Sequence, residues 1–135
     1  MTALPDSVRH LATGRNFACV TTLRADGQPA TQVMWIDADG DDLLFNTEVH
    51  RRKYANLQAD PRVTVTIWDA TNPYRYAEVR GVASEFVHGE PARQHIDELA
   101  WRYFGRPYDE TIIRSARVIV RVRPLVVLGP HAPKA

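Results

Sequence analysis

Two Asp-Gly pairs, Asp26-Gly27 and Asp39-Gly40, divide the first third of the chain into three short apolar runs. Phe17 to Leu23, Ala30 to Ile36 and Asp42 to Thr47 are rich in β-branched and apolar residues. Asp-Gly is the dipeptide that adopts the tight turn of a β-hairpin, because its glycine accepts positive φ without a steric penalty. Residues 17–47 are therefore predicted to form a three-stranded antiparallel meander. A chain committed early to such hairpins cannot be a helical bundle, and it must cover or pair the edges of the sheet that it makes.

Downstream, Val63 to Trp68 alternates Val, Thr, Val, Thr, Ile, Trp, the pattern of a half-buried strand. Asp69 to Pro73 reads as a loop, and Tyr74 to Val87 as a long strand bent at Gly81. Val118 to Leu128 alternates again and forms the final strand. Helices are expected at residues 1–13, ended by Gly14, at Arg51 to Ala59, stopped by Asp60-Pro61, and at Glu90 to Phe104. The last has Pro91 in its first turn and an apolar stripe of Ile96, Leu99, Ala100 and Tyr103. Six or seven antiparallel strands with few helices favour a mainly β fold, a closed or nearly closed barrel with helices packed outside. Residues 1–135 are expected to be one domain, with a loose tail over 129–135.

Composition removes several function classes. A net charge of +1 gives no global basis for nucleic-acid binding. No apolar run approaches the roughly 20 residues of a membrane span, and the N-terminus lacks an apolar signal core. The single cysteine, Cys19, suits a reducing cytoplasm and sits in an apolar run where a buried, inert thiol is expected. The five histidines are scattered without zinc-site spacing, and His95 with Asp97 reads as a surface pair. No nucleophile elbow, phosphate-binding loop or dinucleotide fingerprint is present.

One stretch breaks a local rule. Arg51-Arg52-Lys53 opens a helix, where the partial positive charge of the helix start favours acidic side chains. Free backbone N–H groups with added cations make a site for a phosphate or polycarboxylate. Successive helical residues point about 100° apart, so three cations cannot share one phosphate oxygen. A phosphate with an acidic tail could use all three. A solvated basic face paired with nearby carboxylates is the competing account. Asn46 and Thr47, at the end of the preceding strand, could complete an anion shell. Trp35 and Trp68 could each flank a planar ring or simply pack the core. Arg114, Arg117, Arg121 and Arg123 form a second basic set, either a solvated face or a holder for an acidic group.

The order strand, Asn46-Thr47, Arg51-Arg52-Lys53, Asn56-Leu57 and Asp60-Pro61-Arg62 resembles the split β-barrel family of pyridoxamine 5′-phosphate oxidases. The opening hairpin with Gln28-Pro29-Ala30, and the segment Tyr76 to Gly81, extend the resemblance over most of residues 17–81. The short chain lacks the C-terminal Trp or His-Arg motif of the true oxidases, and so resembles the branch that uses the deazaflavin coenzyme F420. That resemblance implies a cytoplasmic homodimer with its cofactor groove between subunits. It implies hydride transfer from the reduced cofactor's C5 to an unsaturated or heteroaromatic small molecule. Gln32, Val33, Met34 and Trp35 would line the ring, partly through backbone. Asn46 and Thr47 would contact the ribityl chain or phosphate, Arg52 and Lys53 the phosphate, and Arg51 a distal carboxylate. Tyr76 would reach the cofactor across the dimer interface, and no catalytic acid or base is assigned. Alternatives are an FMN-dependent oxidoreductase on the same fold and a non-catalytic binder of a cofactor or tetrapyrrole.

Overall fold

The computed structural model describes residues 2–131. A short helix α1 (Asp6–Thr13) precedes β1 (Phe17–Leu23), β2 (Pro29–Trp35), β3 (Asp37–Asp39) and β4 (Asp42–Glu48). Helix α2 (Arg52–Ala59) leads to β5 (Arg62–Asp69) and β6 (Asn72–Val87), and α3 (Glu90–Phe104) to the last strand, β7 (Arg117–His131). A single 3-10 turn, Glu110–Ile112, lies before β7.

All pairings are antiparallel, and the sheet order is β2-β1-β5-β6-β7-β4-β3. The two outermost strands, β2 and β3, are separated in sequence by Ile36 alone, which is fully buried. The two edges of the sheet must therefore meet there, and the sheet curls into a split barrel. Its core follows the period of two: Ala18 and Val20 on β1, Leu43 and Phe45 on β4, Val63, Val65 and Ile67 on β5, and Val120 and Val122 on β7 point inward. Helix α1 adds Leu4, Val8, Leu11 and Ala12, and α2 adds Leu57 to the same core.

Gly81 is required where β6 bends. A Cβ there would lie 2.3 Å from the carbonyl oxygen of Arg123, and the β6–β7 register shifts between Arg80 and Gly81. Only a residue without a side chain permits that approach.

Several boundaries differ from the sequence reading. Residues 37–39 form a short strand rather than part of a turn, and this strand, not β2, pairs with β4. Residues 17–47 therefore form two separate hairpins, β1–β2 and β3–β4, at opposite ends of the sheet order instead of the expected three-stranded meander. The segment 69–73 is a tight β5–β6 connection, because both strands extend into it. Strand β7 continues through residues 129–131, paired to β6 at Tyr76, so that part of the expected loose tail is ordered sheet. The rest of the tail lies outside the described residues. Among the described residues no helix is long and apolar enough to cross a membrane.

Helix α3 lies against the outer face of β4 and β7 and matters most for function. Ala92 packs with Leu44 and Ile119, while Ile96, Leu99 and Tyr103 pack with Trp35 and Tyr108. Strand β4 is thus buried on both faces: Leu43 and Phe45 inward, Leu44, Asn46 and Glu48 toward the α3 side.

Candidate functional site

Where β2, the end of β4, the start of α2 and α3 converge, a cleft of about 440 Å³ opens. Phe17, Gln32, Val33, Met34 and Trp35 line one side, and Asn46, Thr47, Glu48, Arg51 and Lys53 another. Ile96, Leu99, Tyr108 and Arg117 complete it. The structure thus brings together eight of the ten expected site residues. Arg52 is exposed and does not line the cleft. Tyr76 sits on β6 beside Trp68 and away from the cleft of its own chain.

The apolar wall is rigid. Trp35 stacks on Tyr103 with ring centroids 5.0 Å apart and planes 5° from parallel. Phe104 and Tyr108 meet it edge-on at 4.9 and 6.2 Å. The Tyr103 hydroxyl accepts from the backbone N–H of Ile36 at 3.2 Å and donates to the carbonyl of Asn16. Burial pushes the Tyr103 phenol above its ordinary range, so it remains a neutral donor. The free edge of β2 runs beside this wall, and its outward N–H and C=O groups have no strand partner among the described residues. Trp68 does not line the cleft, and Trp101 is exposed on α3 rather than packed against the barrel.

The polar wall is cationic. Arg51 is the N-cap of α2, with an extended backbone and no side-chain cap, and the helix has no acidic residue in its first turn. Among the described residues, Arg51, Arg52 and Lys53 have no carboxylate within 4 Å. The cleft is lined by three cations, Arg51, Lys53 and Arg117, against one carboxylate, Glu48. Burial, with the charges of Arg51 and Arg117, pulls the Lys53 ammonium below its usual pKa. Arg117 is pulled down by burial and by Arg51, against the opposing effects of Tyr108 and Glu48. Thr47 is only 4% exposed and lines the same wall, and its hydroxyl has no hydrogen bond among the described residues. A phosphate-class anion fits this donor set: it would relieve the cation repulsion and satisfy the hydroxyl.

Behind the wall runs a buried polar chain that the sequence reading missed. Arg102 donates to Asp37 at 2.7 Å, and Asp37 pairs with His95 Nε2 at 2.9 Å. Asn46 donates to the Ala92 carbonyl at 2.9 Å and meets His95 Nδ1 at 3.1 Å. Arg117 Nε donates to Asn46 Oδ1 at 2.7 Å, and its Nη1 lies 3.5 Å from Glu48. Burial disfavours ionised Glu48, but the N–H groups of Ser115 and Arg114 and the charges of Arg117 and His50 outweigh it, holding its carboxyl below the usual range. His95 is thus an interior group, contrary to its expected place on the surface. The signal was available: Ala92, His95, Ile96 and Leu99 follow the i, i+3, i+4, i+7 stripe of the buried helix face. Arg121 is tied to Asp39 and Asp42. Asn56 donates to Thr22 at 3.0 Å inside the barrel, so the Asn56-Leu57 pair anchors α2.

Residues 4–129 match the pyridoxamine 5′-phosphate oxidase family. The chain belongs to that family. Among solved structures, this family member is similar to an F420 reductase, with 34% identity, 93% of this chain and 98% of the other covered, and a TM-score of 0.80. It shares the fold of a conserved hypothetical protein of Mycobacterium tuberculosis, at 22% identity, 94% and 84% coverage and a TM-score of 0.70. General Stress Protein 26 of Bacillus anthracis matches at 19% identity, 90% and 89% coverage and a TM-score of 0.67. No functionally curated protein matched the chain. Membership in the pyridoxamine 5′-phosphate oxidase family supports an oxidoreductase with a flavin or deazaflavin cofactor.

Proposed function

We propose that this protein is a coenzyme F420-dependent reductase, and that the cleft holds the deazaflavin ring on its aromatic side and the phosphate on its cationic side. The observation that carries the reading is the cleft itself, a locked aromatic plane facing three cations and the Thr47 hydroxyl. The 34% identity to an F420 reductase over nearly its whole length supports deazaflavin over FMN.

Gln32, Val33, Met34 and Trp35 hold the ring through the free edge of β2 and the Trp35 plane. Lys53 and the Thr47 hydroxyl bind the phosphate. Arg51 borders both the main cleft and an adjoining pocket of about 480 Å³ lined by His50, Thr111 and Arg114. That position suits it to an acidic tail leaving the phosphate. Arg52, at the first turn but outside the cleft, adds long-range attraction rather than direct contact. When bound and reduced, the deazaflavin supplies a hydride to an unsaturated or heteroaromatic acceptor. The protein orients the ring and keeps water from it, and the aromatic contacts around Trp35 provide the dry wall.

The site is proposed to be completed in a homodimer. Tyr74, Tyr76, Leu125, Val126 and Leu128 expose apolar surface on the paired strands β6 and β7, and a second copy would cover them. Tyr76 would then reach the partner's cleft. Sedimentation over a dilution series should show a dimer; a monomer with cofactor bound would contradict it. The activity test is consumption of reduced F420, followed by absorbance, against a panel of enones, quinones and nitroheteroaromatics. Turnover of at least one supports the reading. Tight F420 binding without turnover of any acceptor would instead identify a non-catalytic binder, and a yellow protein purified with FMN would identify a flavin enzyme.

A further inference from the structure

The buried chain behind the cleft ends on a cation, and that ending has a chemical use. Arg117 has a side chain only 8% exposed, yet it lines the cleft. Its Nε is committed to Asn46 Oδ1 at 2.7 Å, and its ion-pair partner Glu48 stands at 3.5 Å, too far for a strong charge-assisted bond. Glu48 Oε1 accepts from two backbone N–H groups at 2.6 and 2.8 Å, and its Oε2 is the oxygen that faces Arg117. The guanidinium is thus held by Asn46 and lies over the Tyr108 ring, 5.3 Å from its centre and in contact with its hydroxyl, while its five N–H donors leave it further hydrogen-bonding capacity at the cleft.

The orientation of Asn46 follows from its neighbours. The Ala92 carbonyl can only accept and Arg117 Nε can only donate, so Asn46 presents Nδ2 to the first and Oδ1 to the second. Its second N–H then requires an acceptor at His95 Nδ1, which places the imidazole hydrogen on Nε2, where the Asp37 carboxylate receives it. Every donor in the series Asp37, His95, Asn46, Arg117 has one consistent direction. Such chains fix side-chain orientation more firmly than single bonds.

We propose that Arg117 is a binding residue for the ligand's phosphate, and that His95, acting through Asn46, is a positioning residue that fixes its guanidinium. The inference rests on the cofactor reading of the cleft given above. It adds a phosphate contact from β7 to those from β4 and α2, which would surround the anion from three elements. Arg51, Lys53 and Arg117 line the same cleft.

The test compares FMN with riboflavin, which differ only in the phosphate, and F420 with its deazaflavin core, which lacks the phosphate together with the acidic tail attached to it. Arg117→Gln should weaken the phosphorylated member of each pair by about 10-fold or more and leave the phosphate-free member within about twofold. His95→Gln removes the acceptor at the Nδ1 position and should show the same selective loss. His95→Asn keeps an amide oxygen near that position and should restore most of the affinity. Equal losses for both members of a pair, or none, in Arg117→Gln would overturn the binding role. Equal affinities in His95→Gln and His95→Asn would overturn the positioning role. If the unmodified protein binds none of the four ligands, the cofactor reading itself fails, before any variant is compared.

Discussion

Lys53→Gln should move stability and binding in opposite directions. In the free protein Lys53 is a partly buried ammonium beside two other cations, with no carboxylate within 4 Å among the described residues. Burial, then Arg51 and Arg117, lower its pKa, so folding disfavours its charged form. Replacing it with a neutral amide of similar length should stabilise the free protein by roughly 0.5–1 kcal/mol, about 2–5 °C in Tm for a chain of this size. The same change removes a charge-assisted contact to phosphate, worth about 1.5–3 kcal/mol, and should weaken F420 at least ~10-fold. The pH dependence has a definite sign. Between the lowered native pKa of Lys53 and the ordinary 10.5, the unfolded chain binds the extra proton, so this residue makes stability rise with pH through that window. Lys53→Gln should lack that rise. Differential scanning calorimetry of the free protein from neutral to alkaline pH, paired with fluorescence titration, measures both effects. A variant that loses stability and affinity together would refute the reasoning, because Lys53 would then be a structural residue.

Three further outcomes follow from the same geometry. Tyr103→Phe leaves the Ile36 N–H and the Asn16 carbonyl without their buried partner, and should cost about 1–3 kcal/mol in urea unfolding. Asp37→Asn should cost about 2 kcal/mol at neutral pH. Burial opposes ionisation of Asp37, but its bonds to His95 and Arg102 prevail and depress its pKa below 3.8, so its contribution is present above that value and is lost as pH falls through the native pKa. The stability gap between this variant and the unmodified protein should therefore close in acid. Trp35→Ala should weaken riboflavin and FMN alike by about 10-fold, since it removes the ring's plane and leaves the phosphate site intact.

Much of the fold could be read from local chemistry. The Asp26-Gly27 turn, the Val/Thr alternation of β5 and the apolar stripe of α3 each act within a few residues, and each appears where expected. The turn at Gly40 also forms, but it joins β3 to β4, so the pairing of residues 30–36 with residues 42–47 does not occur. Strand β3 was not legible because Asp37 and Asp39 disfavour sheet; it forms because Ile36 enters the core and carries the chain from β2 across to the other end of the sheet, where β3 pairs with β4. At the site, the cations of α2 stood out by breaking the helix-dipole rule. Separating Arg51 and Lys53, which line the cleft, from Arg52, which does not, required the true helix start, one residue later than the sequence suggests. Asp37, His95 and Arg117 come from distant segments and meet only through tertiary packing. Arg117 and Glu48 could have been suspected from strand alternation, which puts both on the face that α3 covers.

The central claim is that this cleft is built for a phosphate-bearing deazaflavin. Its most direct measurement is equilibrium titration of the purified protein with coenzyme F420 and, separately, with FMN, following ligand and tryptophan fluorescence at two ionic strengths. The account predicts saturable F420 binding at one per chain, tighter than FMN by about 10-fold and weakened by added salt. Absence of saturable F420 binding, or FMN binding more tightly than F420, would contradict it.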